Sequence, residues 1–518
     1  MDKKFYITTP IYYPSAKPHM GHAYSSIIAD FFARFKRIDG FQVHFLTGTD
    51  EHGLKIQRSA EKENVDPKQF CDQISETFRN LSKTLNLTNT DFIRTTEDRH
   101  KKTVQYLWNE LLKNDDIYLS KYSGWYSVSD EAFYTEDEIE EIDGNKRSIS
   151  SKSSVEWIEE ESYFFRLSKW EKPLLEYYDN HPDFISPSSR KNEVVSFVKG
   201  GLKDLSVSRK SFSWGIKVPN DKDHVIYVWL DALTNYISAL NYPDKNDKLY
   251  KDFWPASIHL IGKDILRFHA VYWPAFLLAA KIELPLKVYG HGWILSGDEK
   301  MSKSKFNVVS PDNIVKEHGA DVLRLYEMFL GPLEQAKPWS TKGIDGVSRF
   351  IRKFWNLFHD AEGVFSVSGD QPSKKELKVL HTLIKKAQED IENFSFNTSV
   401  SAFMVCVNEL QKLKCNKSAI LKELAITLSP YAPFIAEELW NKLGESGSIT
   451  AAIFPAFNPS YLVESVHKYP VSFNGKMRFM LELPLDLDKA EIETQVLAHE
   501  NSQKWLNGNA PKKVIVVP

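Results

Sequence analysis

Two short motifs limit what this chain can fold into. His19-Met20-Gly21-His22 opens a segment, residues 23–37, in which Ile27, Ile28, Phe31, Phe32 and Phe35 share one face at helical spacing. An apolar, aromatic run over residues 5–13 precedes it and reads as a buried strand. Lys36 and Arg37 occupy the last turn, and Gly40 is the expected stop. The two imidazoles therefore sit at a strand-to-helix junction, where a helix N-terminus suits a polyphosphate. Gly21 lets a nucleotide approach the backbone closely. Alone, histidines spaced like these are more often capping or surface residues. The second motif, Lys300-Met301-Ser302-Lys303-Ser304, shifts that balance. Alone it is a solvated basic loop; paired with the first, it supplies point charges for a leaving pyrophosphate.

The rest of the chain alternates strand and helix patterns on both sides of an interruption. Residues 41–47 read as a strand ending in Gly48-Thr49-Asp50-Glu51-His52-Gly53, the kind of turn where open α/β sheets hold ligands. Helices are expected from Pro67, with Cys71 on the buried stripe, and over 100–112. Residues 117–200 change texture. Tyr118, Tyr122, Trp125, Tyr126, Phe133 and Tyr134 alternate with acidic and turn residues, as in a small β-rich insertion. The pattern then resumes: Arg209 in a strand-like setting, strand then helix over 224–235, a strand over 258–262, and a helix with Ile265 and His269 on one face. After 345 the pattern is helical. From 461 it becomes α+β: a hairpin around Asn474-Gly475, a helix over 490–506 and a terminal strand over 514–517.

The fold class is thus α/β: a Rossmann-like, doubly wound parallel sheet split by a small β-rich insertion, followed by an α-helical bundle and a small α+β domain. The expected boundaries are 1–116 and 201–299 for the catalytic halves and 117–200 for the insertion. Residues 300–345 would hold the mobile loop and the segment after it, 346–460 the helical bundle and 461–518 the last domain. A net charge of −3 excludes a generally basic nucleic-acid binder, so any RNA surface is local. Three scattered cysteines point to a reducing compartment. No apolar run is long enough to span a bilayer, and the N-terminus lacks a signal-peptide core. The expectation is a cytoplasmic enzyme with no membrane partner.

The paired motifs resemble the signatures of class I aminoacyl-tRNA synthetases, which implies amino-acid activation by ATP followed by transfer to tRNA. Within that class, residues 1 to about 300 resemble a methionyl-tRNA synthetase. The runs that carry this are Thr8-Thr9-Pro10-Ile11-Tyr12-Tyr13, Thr47 through Gly53 as above, Tyr227-Val228-Trp229-Leu230-Asp231-Ala232-Leu233-Thr234-Asn235-Tyr236 and Ile261-Gly262-Lys263-Asp264-Ile265-Leu266-Arg267-Phe268-His269. The resemblance implies that Asp50 holds the substrate ammonium and that Asp264 contacts the adenosine ribose. It implies a side-chain pocket walled by Ile11, Tyr13, Trp229, Ala232, Tyr236, Ile265 and His269. Aromatic rings suit a soft thioether. His19, Gly21, His22, Lys300 and Lys303 would meet ATP, with Arg209 a further candidate on the phosphate side. Mg²⁺ would enter with ATP.

The resemblance departs in two places. Where many members carry zinc-binding cysteines, this chain has Tyr126-Ser127-Val128-Ser129-Asp130, so no zinc is expected and packing of Trp125, Phe133 and Trp157 is expected to hold the insertion. From about residue 300 to 518, the chain resembles the C-terminal part of leucyl-tRNA synthetases. Gly319-Ala320-Asp321-Val322-Leu323-Arg324-Leu325-Tyr326, Lys337-Pro338-Trp339 and Tyr469-Pro470-Val471-Ser472-Phe473-Asn474-Gly475-Lys476-Met477-Arg478 carry this. The chain reads as a mosaic whose first part selects methionine and whose tRNA partners are the initiator and elongator methionine tRNAs. Lys476, Arg478, Lys512 and Lys513 are candidate phosphate contacts. The alternatives are a leucine–tRNA ligase without editing, a simple nucleotidyltransferase, or a non-productive mosaic that binds tRNA or adenylate.

Overall fold

A six-stranded, all-parallel sheet organises the first half of the computed structural model, which describes residues 3–130, 132–142, 144–297, 299–301, 308–463, 466–485 and 487–517. Its order runs Asp91–Arg94, Gln42–Thr49, Lys4–Thr8, Ile258–Gly262, Val288–His291, Ile185–Ser186. The first three strands step outward in one direction and the next two in the other. The reversal lies between Lys4–Thr8 and Ile258–Gly262, where Thr8 pairs with His259. A crevice opens outside the carboxyl ends of the strands at such a point.

The first strand is shorter than its apolar run suggests. It stops at Thr8, because Pro10 has no N–H for the ladder. Residues 9–13 leave the sheet as an extended arm tied to the next strand: Thr9 N–H bonds Leu46 O at 3.0 Å and Tyr12 N–H bonds Gly48 O at 2.8 Å. The arm leads to the helix Met20–Ile38, which ends as expected, with Gly40 at φ +83°.

The insertion forms an antiparallel sheet in the order Leu205–Ser206, Glu156–Phe165, Ile117–Ser127, Ala132–Tyr134, with a hairpin of Ile139–Ile142 and Asn145–Ser148 beside it. Its expected packing needs correction. Trp157 is 48% exposed and meets Trp125 edge-on at 5.1 Å, and the Phe133 side chain lies outside the described ones. A polar knot contributes instead. Asp130 accepts from the hydroxyls of Tyr134, Ser151 and Ser153, and Ser127 Oγ lies 2.9 Å from Ser153 Oγ. Four hydroxyls and a carboxylate that bond one another are not a thiolate set, and they do not fit tetrahedral zinc.

Five helices follow: Thr341–Asn356, Lys374–Glu392, Phe396–Lys412, Ser418–Leu428 and Pro433–Lys442. They share one core with the catalytic half, because Met20–Ile38 turns its aromatic stripe on them. Phe31 meets Phe396 and Tyr431, Phe32 meets Phe394, and Phe35 meets Phe454, at ring distances of 4.5 to 5.2 Å. Asp30, on the same helix, is fully buried. Its carboxylate takes Arg34 Nε at 2.7 Å, Arg324 Nη2 at 2.7 Å and the Thr88 N–H and hydroxyl at 2.6 and 2.7 Å. Arg324, also fully buried, donates to the carbonyls of Leu85, Pro430 and Tyr431. Nearby, Asp321 accepts the Phe434 and Ile435 N–H groups at the start of Pro433–Lys442.

The C-terminal hairpin, Val466–Phe473 with Lys476–Pro484, turns through Asn474 and Gly475, both at positive φ, as their sequence implies. Two expectations fail there. The helix over 490–506 is broken at His499 into Lys489–Ala498 and Glu500–Leu506. Residues 514–517 form no strand, and Ile515 and Val517 face solvent, having no partner strand to bury them.

Breaking a buried charge pair costs about 3–5 kcal/mol when the partner is left bare, and a part of that when, as for Asp30, a second cation (Arg34) remains. Arg324→Met is therefore expected to lower the urea midpoint sharply. Adding Asp30→Asn to Arg324→Met should recover part of the loss, which a double-mutant cycle measures. Additive losses would show that the pair is not coupled.

Candidate active site

A cavity of about 400 Å³ lies at the reversal of strand order. All eight residues expected around the amino acid line it: Ile11, Tyr13, Asp50, Trp229, Ala232, Tyr236, Ile265 and His269. Asp264 lines it too, and Trp293 Nε1 donates to its carboxylate at 3.1 Å. The insertion adds Ser129 and Asp130, which the sequence had not placed there.

Each wall has a local cause. Ile11 and Tyr13 come from the arm that Pro10 forces out of the sheet. Asp50 follows the Gln42–Thr49 strand, and its N–H bonds Tyr12 O at 2.9 Å. The next two residues fix this turn. Glu51 is fully buried and receives Arg94 through two nitrogens at 2.6 and 3.0 Å. Burial alone would raise its pKa, but the hydrogen bonds from Arg94, Ser75 and Thr96 hold it below the usual range. His52 O accepts the Tyr13 hydroxyl at 3.0 Å, which joins the arm to the turn. Gly53, at φ +113°, lets the chain turn while its N–H bonds Trp214 O.

The opposite wall is aromatic. Trp229 stacks on Phe268 with ring centroids 3.6 Å apart and meets His269 edge-on. The helix expected after Gly262 is irregular: Lys263–Ile265 is a 3₁₀ turn and Phe268–Tyr272 a π turn before Trp273–Ala279. Such π turns recur at functional sites. Here it keeps Ile265 and His269 on one face, with His269 Nδ1 2.9 Å from Ile265 O. Nδ1–H donates to that carbonyl, so Nε2 accepts from the Tyr236 hydroxyl at 2.7 Å. Burial pushes the His269 pKa down to about 4. The wall is therefore uncharged at neutral pH and suits an apolar, polarisable side chain.

His19 and His22 sit at the mouth of helix Met20–Ile38 in a reciprocal cap. His19 Nδ1 accepts Gly21 N–H at 3.1 Å, and His22 Nδ1 accepts His19 N–H at 3.0 Å. With Nδ1 accepting, a neutral ring carries its proton on Nε2. Ser25, one turn on, donates to His291 Nε2 at 2.8 Å, while His291 Nδ1–H bonds Gly292 O. Lys337 was missed as a site-supporting residue. It is buried on a strand that pairs with Ile294–Ser296, and its ammonium bonds Tyr24 Oη at 2.6 Å; burial lowers its pKa to about 7. A lysine in an otherwise apolar K-P-W run was the available signal.

Among the described positions expected at the site, Arg209, His19, Gly21 and His22 are not in the lining of the cavity. Arg209 is buried away from its lining, donating to Ser206 Oγ at 2.7 Å and Ser208 O at 2.6 Å and lying over the Tyr227 and Tyr126 rings. It fastens the insertion to the catalytic half and is not a surface ion pair. Lys300 closes a short strand, Glu299–Lys300, but its side chain is outside the described ones. Lys303, with Ser302 and Ser304, lies outside the described residues.

A parallel sheet with its cavity at the switch point and an H-x-G-H helix mouth alongside defines a class I tRNA synthetase. The family described as tRNA synthetases class I (M) matches residues 5–144 and 140–345, and an anticodon-binding domain of tRNA ligases matches 374–494. The methionine–tRNA ligase of Rickettsia prowazekii is 45% identical over 86% of this chain and 94% of its own length. That of Rickettsia bellii is 56% identical over 63% of this chain, a span of 64% of its own length. Methionyl-tRNA synthetase of Mycobacterium tuberculosis, solved with methionyl-adenylate, is 37% identical and superposes with a TM-score of 0.80 over 86% of this chain and 94% of that one. A LeuRS of Agrobacterium radiobacter, at 17% identity and a TM-score of 0.77, shares the fold. The chain belongs to the methionyl-tRNA synthetase family.

Like His269, His44 and His291 are driven by burial to pKa values of about 4. In the unfolded chain all three titrate near 6.5. Between those values the unfolded state binds protons that the folded state does not. Their contribution is therefore complete above pH 6.5 and lost as pH falls toward 4, at up to about 1.4 kcal/mol per pH unit for each histidine. Urea midpoints measured from pH 7.5 to 4.5 should fall steeply below 6.5, and less steeply in His44→Asn.

Proposed function

We propose that the cavity is the methionine site of a methionine–tRNA ligase, which activates methionine with ATP and transfers it to tRNA. The observation that carries this reading is the lining itself: the Asp50 carboxylate, on a doubly anchored turn, faces aromatic walls and a neutral His269, with Asp130 and Asp264 also in the lining. Asp50 takes the ammonium, and Trp229, Tyr236, Tyr13 and His269 enclose the thioether with Ile11, Ala232 and Ile265. Asp264 meets the ribose. The methionine carboxylate then attacks the α-phosphorus, the bond to the bridging oxygen breaks, and pyrophosphate leaves. No proton need move in this step, so catalysis is positioning and charge stabilisation. His19 and His22 donate to phosphate oxygens beside Gly21, and Lys300 and Lys303 take the leaving charge. Mg²⁺ carried on the ATP phosphates would supply further charge neutralisation there, with no ligand set of its own among the described residues. In the second step a terminal ribose hydroxyl of tRNA attacks the carbonyl carbon and AMP departs.

The acceptors on this reading are initiator and elongator methionine tRNAs, met by the bundle over 346–460 and the domain over 461–518. The leucyl-like character after residue 300 is read as a mosaic with a working seam, because Arg324 and Asp321 from that part are built into the contact with Asp30 and the bundle. This favours a productive enzyme over a misjoined one. The three cysteines are buried free thiols, which supports a reducing, cytoplasmic setting. Among the described residues, no helix is long and apolar enough to cross a membrane.

ATP–pyrophosphate exchange without tRNA tests the reading. Exchange should depend on methionine, and leucine should not replace it. Asp50→Asn should cost roughly 10- to 150-fold in kcat/KM for methionine, from the ~1.5–3 kcal/mol of a charged hydrogen bond. Leucine-dependent exchange would overturn the assignment.

A further inference from the structure

One buried polar cluster borders the cavity and takes no part in the steps above. Asp231 lies on the helix Val228–Leu233, between the cavity residues Trp229 and Ala232, with its carboxylate turned away from the cavity and fully buried. Its Oδ2 is 2.6 Å from His52 Nδ1, and its Oδ1 is 2.7 Å from His100 Nε2. His100 is itself fully buried on the helix Asp98–Lys113, and its Nδ1 lies 2.8 Å from Ser238 Oγ. Ser238 ends the short helix Asn235–Ser238, whose Asn235 and Tyr236 line the cavity.

An ionised carboxylate only accepts, so both imidazoles donate to it. That sets the tautomers: the proton facing Asp231 is on Nδ1 of His52 and on Nε2 of His100. The three residues are 48 and 131 positions apart in sequence. Through them one carboxylate fixes three separate cavity elements. His52 holds the turn that presents Asp50, the backbone of Asp231 carries Trp229 and Ala232, and His100 with Ser238 holds Asn235 and Tyr236. A carboxylate this deep is costly to bury unless its donors are in place.

We propose that Asp231 is a positioning residue for methionine, acting through His52 and His100 to fix the distance between the Asp50 turn and the aromatic wall. The proposal rests on the reading of this cavity as the methionine site. The ATP side, at His19, His22 and Asp264, is not tied to the cluster, so removing Asp231's charge should act on one substrate only.

The test is pyrophosphate exchange on the full chain, with methionine and ATP varied separately. Asp231→Asn keeps the shape but presents an amide N–H to one imidazole donor. The expected result is a KM for methionine raised at least tenfold with the KM for ATP changed less than twofold. His52→Ala should do the same, and His52→Asn should recover most of it, because an asparagine amide nitrogen takes the place of Nδ1. His100→Ala and His100→Gln form the matching pair for Nε2. A purely structural cluster would lower the melting temperature and the active fraction and leave both KM values unchanged, which would overturn the proposal. So would a parallel rise in both KM values, or no difference between His52→Ala and His52→Asn. If Asp231→Asn fails to fold, the histidine pairs decide. Wild-type protein without methionine-dependent exchange would overturn the cavity reading and this proposal together. Methionine-dependent exchange with unmoved variants would overturn this proposal alone.

Discussion

The carboxylate of Asp30 is the point on which the two halves of the molecule turn. It sits mid-way along the helix whose N-terminus presents His19 and His22, and it is fully buried between Arg34 and Arg324. Burial alone would raise its pKa, but Arg34 and Arg324 outweigh that and hold it near 2. Such a group is a poor source of net stability, since an apolar replacement of similar volume often does as well. Its value is directional. Arg324 also collects the carbonyls of Leu85, Pro430 and Tyr431, so few relative placements of sheet, connecting helix and bundle satisfy all its donors. The aromatic stripe of Phe31, Phe32 and Phe35 supplies the apolar area, and the charge pair selects the register.

The site repeats this division of labour on a smaller scale. Residues that touch the cavity are mostly apolar or aromatic. Those that hold them in place are buried, charged and paired: Glu51 with Arg94, and Asp231 with His52 and His100. The cavity-lining groups are themselves tied, Tyr13 to His52 O, Tyr236 to His269 and Asp264 to Trp293, and a buried charged layer lies behind them.

How much of this was legible in the residues depended on sequence distance. Asp50, Trp229, Tyr236 and His269 could be picked out because each lies in a contiguous run that carries the resemblance to methionyl-tRNA synthetases, and the structure brings them around one cavity. The parallel sheet and its interruption could be read from alternating periodicity. The second layer could not, because Asp231 means nothing until His52 and His100 are beside it. The π turn at Phe268–Tyr272 was hidden because an extra residue in a turn leaves no mark on composition. Residues 514–517 failed for the opposite reason: they have strand composition, but no strand lies alongside to pair with them. In the insertion, aromatic content drew attention to Trp125 and Trp157, while Asp130 and its serines make the knot.

The Asp30–Arg324 contact also bears on descent. A change at Asp30 is tolerated only together with a change at Arg324, because the fully buried guanidinium would otherwise lose its carboxylate.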